Sequence, residues 1–271
     1  MTIKEQNSLS TIEDVMTYLR SHPERLKTGL FQPSIKIIYS NKKKRYTEFY
    51  RIIAESKGKQ RNIPQYFWIR IVKNKPADII INVLNKQFSI MERVFDFFNN
   101  QDCKKLHLSC CKPVLFLPEL RALISRECSG SILNSYLNKR IPVFNKTEIL
   151  SACFNCGLWL GKFHEYFRDD NISDSDREIC MNQFKEKYKR RPCREMDFIT
   201  FCHNDYGPRN IFTDENSIEV IDFVGVEKGF PEQDILFFCN YIYKARFNLL
   251  YSKSFKSQMI DFFYNGYKSI C

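Results

Sequence analysis

A chain of 271 residues with 44% hydrophobic side chains holds enough apolar material for one large or two modest cores, and no stretch of it approaches the length of a membrane span. Lys and Arg number 42 against 31 Asp and Glu, so the net charge is +11, which suits anionic ligands or an anionic surface and argues against a polycationic one. The 11 Cys are an odd number scattered through apolar surroundings, and residues 1–6 carry no secretory apolar core. That pattern suits a disulfide framework poorly, and reduced thiols in a cytoplasmic setting are the simpler expectation.

Ser10-x-x-Glu13 reads as a capping box that opens a helix with Ile12, Val15, Met16 and Leu19 on one face, and His22-Pro23 closes it. Three strands are predicted next, over residues 35–40, 46–55 and 65–72. A basic loop at 41–45 joins the first two, and residues 57–64 join the second and third. On the third strand Arg70 shares a face with Trp68 and Val72, while Lys73 falls on the opposite face at the strand end. A helix follows, with Phe88, Met91, Val94, Phe95 and Phe98 as its apolar stripe and Glu92 at the stripe's border.

Cys103-x3-His107-x2-Cys110-Cys111 offers enough donors for zinc. It lacks finger spacing, however, and sits among Leu106, Leu108, Val114 and Leu115, so packing is the simpler reading. Further on, a strand ends near Arg126, a turn at Gly130 follows and a Leu-bearing helix begins. Residues 147–167 form a long apolar helix. It encloses Cys153-x2-Cys156, which a redox motif would instead place at a helix start after a strand. Residues 169–194 swing from acidic to basic, and the closing stretch is helical and rich in aromatics, most of them core. The basic clusters at 42–45, 57–61 and 185–191 carry no recognisable nucleic-acid module, so no specific nucleic acid is expected. Contact with an anionic surface such as a membrane face remains compatible with them.

The chemistry concentrates in His203-Asn204-Asp205-Tyr206-Gly207-Pro208-Arg209-Asn210, followed by Ile221-Asp222-Phe223. An Asp, an Asn five residues on and a second Asp twelve further supply what phosphoryl transfer needs. One carboxylate takes a hydroxyl proton, while an amide oxygen and another carboxylate hold Mg2+ on a nucleotide's phosphates. The apolar residues after Asn210, the polar turn at 213–216 and the run into Asp222 predict a short hairpin with Asn210 and Asp222 at the same end.

This set resembles the aminoglycoside phosphotransferase and choline kinase group of small-molecule kinases. Gly229-Phe230-Pro231-Glu232-Gln233-Asp234 is similar to that group's Gly-x-Pro-x-x-Asp segment, and Leu160-Gly161-Lys162-Phe163-His164 to its Leu-x-x-x-His. Residues 122–133 resemble its lobe-connecting hinge. The resemblance implies an α+β, two-lobed protein-kinase-like fold. Residues 1–122 would form an N-terminal helix plus a small antiparallel-sheet nucleotide-binding lobe, and 123–271 a mainly helical lobe with the catalytic loop and acceptor pocket.

It also implies ATP and Mg2+ as cofactors and a small-molecule hydroxyl acceptor: an amino sugar, a sugar or glycan precursor, or an amino alcohol. Asp205 would be the catalytic base, and Asn210 and Asp222 the metal ligands. Arg70, paired with Glu92, would brace the phosphates; Lys73 competes for that role, since the usual residue is Lys. Ser40, beside a loop without Gly, and Ile124 and Arg126 at the hinge would meet the nucleotide. His203, His164 and Asp234 would organise the loop, and Tyr206, Tyr241 and Tyr243 are candidates for the acceptor wall. The Gly-free loop and the absence of an Ala-Pro-Glu element disfavour a protein kinase. A non-catalytic nucleotide-binding module is the other alternative, against which the intact Asp205, Asn210 and Asp222 stand.

Overall fold

The computed structural model describes residues 11–30, 32–41, 46–56, 63–73, 76–187, 198–214, 216–245, 247 and 250–271. In chain order its elements are α1 (Ile12–Ser21), β1 (Pro33–Asn41), β2 (Thr47–Ser56), β3 (Gln65–Val72), α2 (Ala77–Phe98), α3 (Gln101–Lys105), β4 (Leu108–Cys110), β5 (Pro113–Leu117) and β6 (Ala122–Arg126). There follow β7 (Ser131–Ile132), α4 (Leu133–Asn138), α5 (Lys146–Tyr166), α6 (Asp174–Lys187), β8 (Thr200–Cys202), β9 (Ile211–Thr213), β10 (Ile218–Val220), β11 (Glu227–Gly229), α7 (Glu232–Lys244) and α8 (Lys253–Lys268). Two compact units emerge: Met1–Glu92 with Cys111–Glu127, and Arg93–Cys110 with Cys128–Cys271. The second takes in residues 93–110, which the division expected at residue 122 assigns to the first.

The first unit is a five-stranded sheet in the order β1-β2-β3-β6-β5, with every neighbouring pair antiparallel. Along β3 the side chains alternate: Phe67, Ile69 and Ile71 are buried, and Trp68, Arg70 and Val72 lie on the other face. The buried face packs with Val15, Met16 and Leu19 of α1 in one apolar cluster. The cap of α1 sits one residue beyond the expected box. Thr11 Oγ1 accepts from the Asp14 N–H, and the Asp14 carboxylate accepts from the Thr11 N–H at 2.7 Å. A hydroxyl followed three residues later by a carboxylate satisfies two orphan donors wherever the helix phase puts them, and here burial of Ile12 fixes that phase. The basic loop between β1 and β2 lies, for residues 42–45, outside the described residues.

The second unit is built on α5, buried on most of its circumference, as its lack of a polar face requires. Against it runs α8, so closely that backbone meets backbone. A Cβ on Gly157 would collide with the carbonyl oxygen of Phe263, and one on Gly266 with that of Phe154. Trp159 of α5 stacks on Phe98 and on Tyr206, at ring separations of 4.8 and 5.5 Å, and its indole N–H donates to the Ser109 carbonyl at 2.7 Å. Two small sheets complete this unit, β4-β10-β9-β7 and β11-β8. The loop from β8 to β9 and the β9–β10 hairpin carry the residues singled out above. Cys153 and Cys156 are both fully buried in α5, and burial pushes the Cys153 thiol up to about 12, which leaves it inert at neutral pH. The ten described cysteines are free thiols.

Because the α5–α8 crossing has no room for a methyl group, Gly157→Ala is expected to cost at least about 1–3 kcal/mol. Urea unfolding followed by circular dichroism measures it.

Candidate active site

The loop between β8 and β9 is fixed before its reactive residues appear. Asp234 lies in the first turn of α7, where unpaired N–H groups favour a negative charge, and it is fully buried. Its Oδ2 accepts the His203 backbone N–H at 2.6 Å and its Oδ1 accepts that of Asn204 at 2.7 Å. His164 on α5 adds a third donor, Nε2 to Oδ2 at 3.1 Å. With Nε2 as donor, Nδ1 of the neutral ring accepts from the Tyr267 hydroxyl at 3.0 Å. Asn204 adopts φ +64°, a left-handed conformation that Asn tolerates, and its amide donates to the Gly225 carbonyl at 2.9 Å. The His203 ring reaches forward: Nε2 donates to the Ile221 carbonyl at 3.0 Å, which ties the loop to the residue before Asp222.

His164, Cys202 and Asp234 bring potential metal donors together within 4.8 Å. Hydrogen bonds already engage both Asp234 oxygens, and His164 meets them with its N–H, so the cluster is a donor-acceptor network. Cys103, His107, Cys110 and Cys111 form no such converging group among the described residues.

Asp205 and Asn210 meet within the loop. Asn210 Nδ2 donates to the Asp205 carbonyl at 3.0 Å and to Oδ2 at 2.8 Å, while Arg209 Nη2 donates to Oδ1 at 2.6 Å. The amide nitrogen is thus spent on Asp205, and the carbonyl oxygen is the end of Asn210 suited to a cation. In the hairpin Ile211 pairs with Val220 and Thr213 with Ile218. The Ile221 N–H donates to the Asn210 carbonyl at 2.9 Å, so Asp222 follows at the same end as Asn210. Asp222 is exposed and takes φ +65°, a strained region found at ligand-holding positions. Gly130 takes φ +77°, and a Cβ there would strike the Thr213 carbonyl, so the turn after β6 needs glycine for both reasons.

The sheet unit departs from expectation at Arg70 and at Ile124. Arg70 Nη1 donates to Gln87 Oε1 at 3.2 Å, while Glu92 is exposed. The buried stripe of α2 runs through Ile80, Leu84, Gln87, Met91, Val94 and Phe98, at alternating steps of four and three. Gln87 occupies a stripe position, whereas Glu92 lies about 140° further round the helix, so Glu92 is not the partner. The signal was present in the sequence: a polar residue standing where the period demands an apolar one. Lys73 Nζ pairs instead with Glu48 of β2 at 2.8 Å. Ser40 is exposed on β1 opposite Tyr50. Arg126 is exposed at the end of β6, and its N–H donates to the Lys112 carbonyl. Ile124 is fully buried, laddered between β3 and β5, so its side chain belongs to the apolar cluster under α1.

In the helical unit a cavity of about 460 Å3 opens between Asn134 and Asn138 of α4 and Phe237, Asn240, Tyr241 and Lys244 of α7. It abuts the loop. A Cβ on Gly207 would stand 2.9 Å from the Phe237 ring and 3.6 Å from that of Tyr241, and the Asn134 N–H donates to the Pro208 carbonyl at 3.1 Å. Of the three tyrosines considered for an acceptor wall, Tyr241 lines this cavity. Tyr206 is fully buried, with its hydroxyl on the Cys156 carbonyl at 2.7 Å, and Tyr243 is exposed away from the described lining.

Glu232, two residues before Asp234, is the opposite case. Its carboxylate oxygens are shielded and make no hydrogen bond to another residue among the described ones. Burial, partly offset by its own backbone N–H, pushes it up to about 7.

The model of the phosphotransferase enzyme family (APH) matches residues 163–256, the stretch that holds the loop, the hairpin and Asp234. No curated protein sequence matches the chain. Among solved structures, the ternary complex of APH(2")-IIa with streptomycin and ATP is 13% identical, with a TM-score of 0.53 over 93% of this chain and 87% of that one. ADP-bound aminoglycoside phosphotransferase APH(2'')-Ib is 13% identical, with a TM-score of 0.52 over 93% and 85%. The amicoumacin kinase hAmiN, in complex with AMP-PNP, Ca2+ and its antibiotic, is 12% identical, with a TM-score of 0.50 over 95% and 78%. The fold is the α+β, protein-kinase-like fold of these phosphotransferases. No helix among the described residues is long and apolar enough to cross a membrane.

Asp234→Asn would turn an N–H toward another N–H at the anchor, and an expected cost of about 2–4 kcal/mol follows, measured by urea unfolding. For Glu232 the folded chain favours the protonated acid. Wild-type stability should therefore fall as pH rises from the ordinary value of 4.5 to about 7, and stay low above it. Glu232→Gln is expected to match wild type near the lower end of that window and to melt roughly 5–10 °C higher above it, read by thermal unfolding across the pH range.

Proposed function

We propose that the protein is an ATP- and Mg2+-dependent phosphotransferase that moves the γ-phosphoryl group to a hydroxyl of a small molecule. The observation that carries this reading is the loop itself. Asp205 is held by Asn210 Nδ2 at 2.8 Å, and the same Asn is laddered to Ile221, which brings the turn at Asp222 alongside. One carboxylate, one amide oxygen and a second carboxylate at one hairpin end are the donor set phosphoryl transfer requires.

Asp205 orients the acceptor hydroxyl and takes its proton late, since a loose transition state asks for little early deprotonation. Arg209, paired with Asp205 and largely exposed, is free to shift as the hydroxyl arrives. The Asn210 oxygen and the Asp222 carboxylate fit a hard cation, and Mg2+ bound there would neutralise charge on the phosphates. Arg70, steadied by Gln87, is the proposed phosphate-bracing cation of the sheet unit, with Ser40 and Arg126 as further nucleotide contacts. His203, His164 and Asp234 act as positioning residues behind the loop. The acceptor classes that the reading admits are amino sugars, sugars or glycan precursors, and amino alcohols. The setting proposed is cytoplasmic, and the net charge of +11 favours anionic ligands or surfaces.

Asp205→Asn is expected to bind Mg-ATP as wild type does while turnover drops by roughly 10²–10⁴. Asp222→Asn should weaken Mg-ATP itself. ADP release across a panel of hydroxylated acceptors, with nucleotide affinity from calorimetry, separates the two effects. Near-normal turnover in Asp205→Asn would remove it from the role of base.

A further inference from the structure

We infer that the acceptor is a sugar-like polyol that bears an anionic group and no amine, held in the cavity between α4 and α7. The inference rests on the phosphotransferase reading and adds the substrate class to it. Three of its lining residues, Phe237, Tyr241 and Asn134, pack against Gly207 and Pro208, which follow Asp205 on the same loop. At about 460 Å3 it accommodates a sugar-sized molecule.

Its chemistry is selective. Asn134, Asn138 and Asn240 bring carboxamides to the lining, with Asn138 Nδ2 donating to the Asn134 carbonyl at 2.9 Å; carboxamides suit hydroxyls because both give and take hydrogen bonds. Phe237 and Tyr241 offer ring faces to the C–H side of a pyranose. The charged residue among the described lining is Lys244, and no carboxylate accompanies it. A polyamine bound here would desolvate its ammonium groups with no anion to receive them, and would lie beside a fixed positive charge. A carboxylate or phosphate on the acceptor would meet Lys244, and the net charge of +11 favours its approach. Two of the solved structures that share the fold hold streptomycin and gentamicin. Among the described residues, the lining of this cavity holds none of the acidic groups that such cationic ligands call for.

The test is a matched series on one ring: glucose, glucuronic acid and glucosamine, with gentamicin as the polycation. Affinity is read by calorimetry on the full chain with a non-hydrolysable Mg-ATP analogue, and ADP release is followed in parallel. Wild type should bind glucuronic acid about tenfold more tightly than glucosamine, the effect of a single charge contact. Lys244→Glu, at an exposed position that leaves the fold intact, should invert that order and change glucose by less than about twofold. Asp205→Asn should keep the binding order while losing turnover. If the order holds but no acceptor yields ADP in wild type, the phosphotransferase reading fails and the cavity's selectivity stands. Tightest binding of glucosamine or gentamicin, binding of none of the four, or a ratio unmoved by Lys244→Glu would overturn the inference.

Discussion

Everything reactive in this protein hangs on one buried carboxylate. Asp234 is removed from water, and its charge is met by two backbone N–H groups and an imidazole. A buried carboxyl without partners would suffer the full cost of desolvation, and these three bonds offset it. They also act on geometry. The donors come from consecutive residues, His203 and Asn204, so the peptide that leads into Asp205 has its direction fixed. The His203 ring then carries the constraint across to Ile221. Through this one group the helix after the hairpin, the long helix α5 and the loop become a single rigid support for Asp205, Asn210 and Asp222.

The support needs close packing behind it. Tyr206, inside the loop, is clamped between Trp159 and Phe238, with its hydroxyl on a carbonyl of α5. α5 in turn rests on α8 through reciprocal glycines, and α8 supplies Tyr267, whose hydroxyl orders His164. The dense aromatic content of the chain is thus used to fill the space behind the loop, where rings tolerate little displacement. Tyr206, a candidate for the acceptor wall, belongs to this buried support instead.

What the sequence revealed was local. The spacing of Asp205, Asn210 and Asp222 encodes a loop and a hairpin, and both are short enough for turn chemistry to specify. Asp234 lay in a motif read as a unit. Failures came where a side chain's role depends on phase or on distant chain. Glu92 sat beside the stripe of α2, but Gln87 sat in it, and three or four residues of helix decide which of them meets Arg70. The cap of α1 fell at Thr11 because two overlapping hydroxyl–acid pairs were available and burial chose between them. Ile124 reads as a strand residue in either case, but only the paired strands on both sides reveal that it is core. The cavity joins Asn134 to Lys244 across more than a hundred residues, and no pattern in either helix announces the other.

Glu232 and Asp234 make the same point energetically. Two acids on the first turn of one helix share the helix's favourable field, yet only Asp234 is met by donors from elsewhere in the chain. Glu232, at least partly shielded and without such donors, is raised to about 7. The helix terminus alone therefore does not keep the Glu232 carboxyl in its ordinary range. Glu232, two residues before Asp234, bears a cost to stability at neutral pH that the remainder of the fold must absorb.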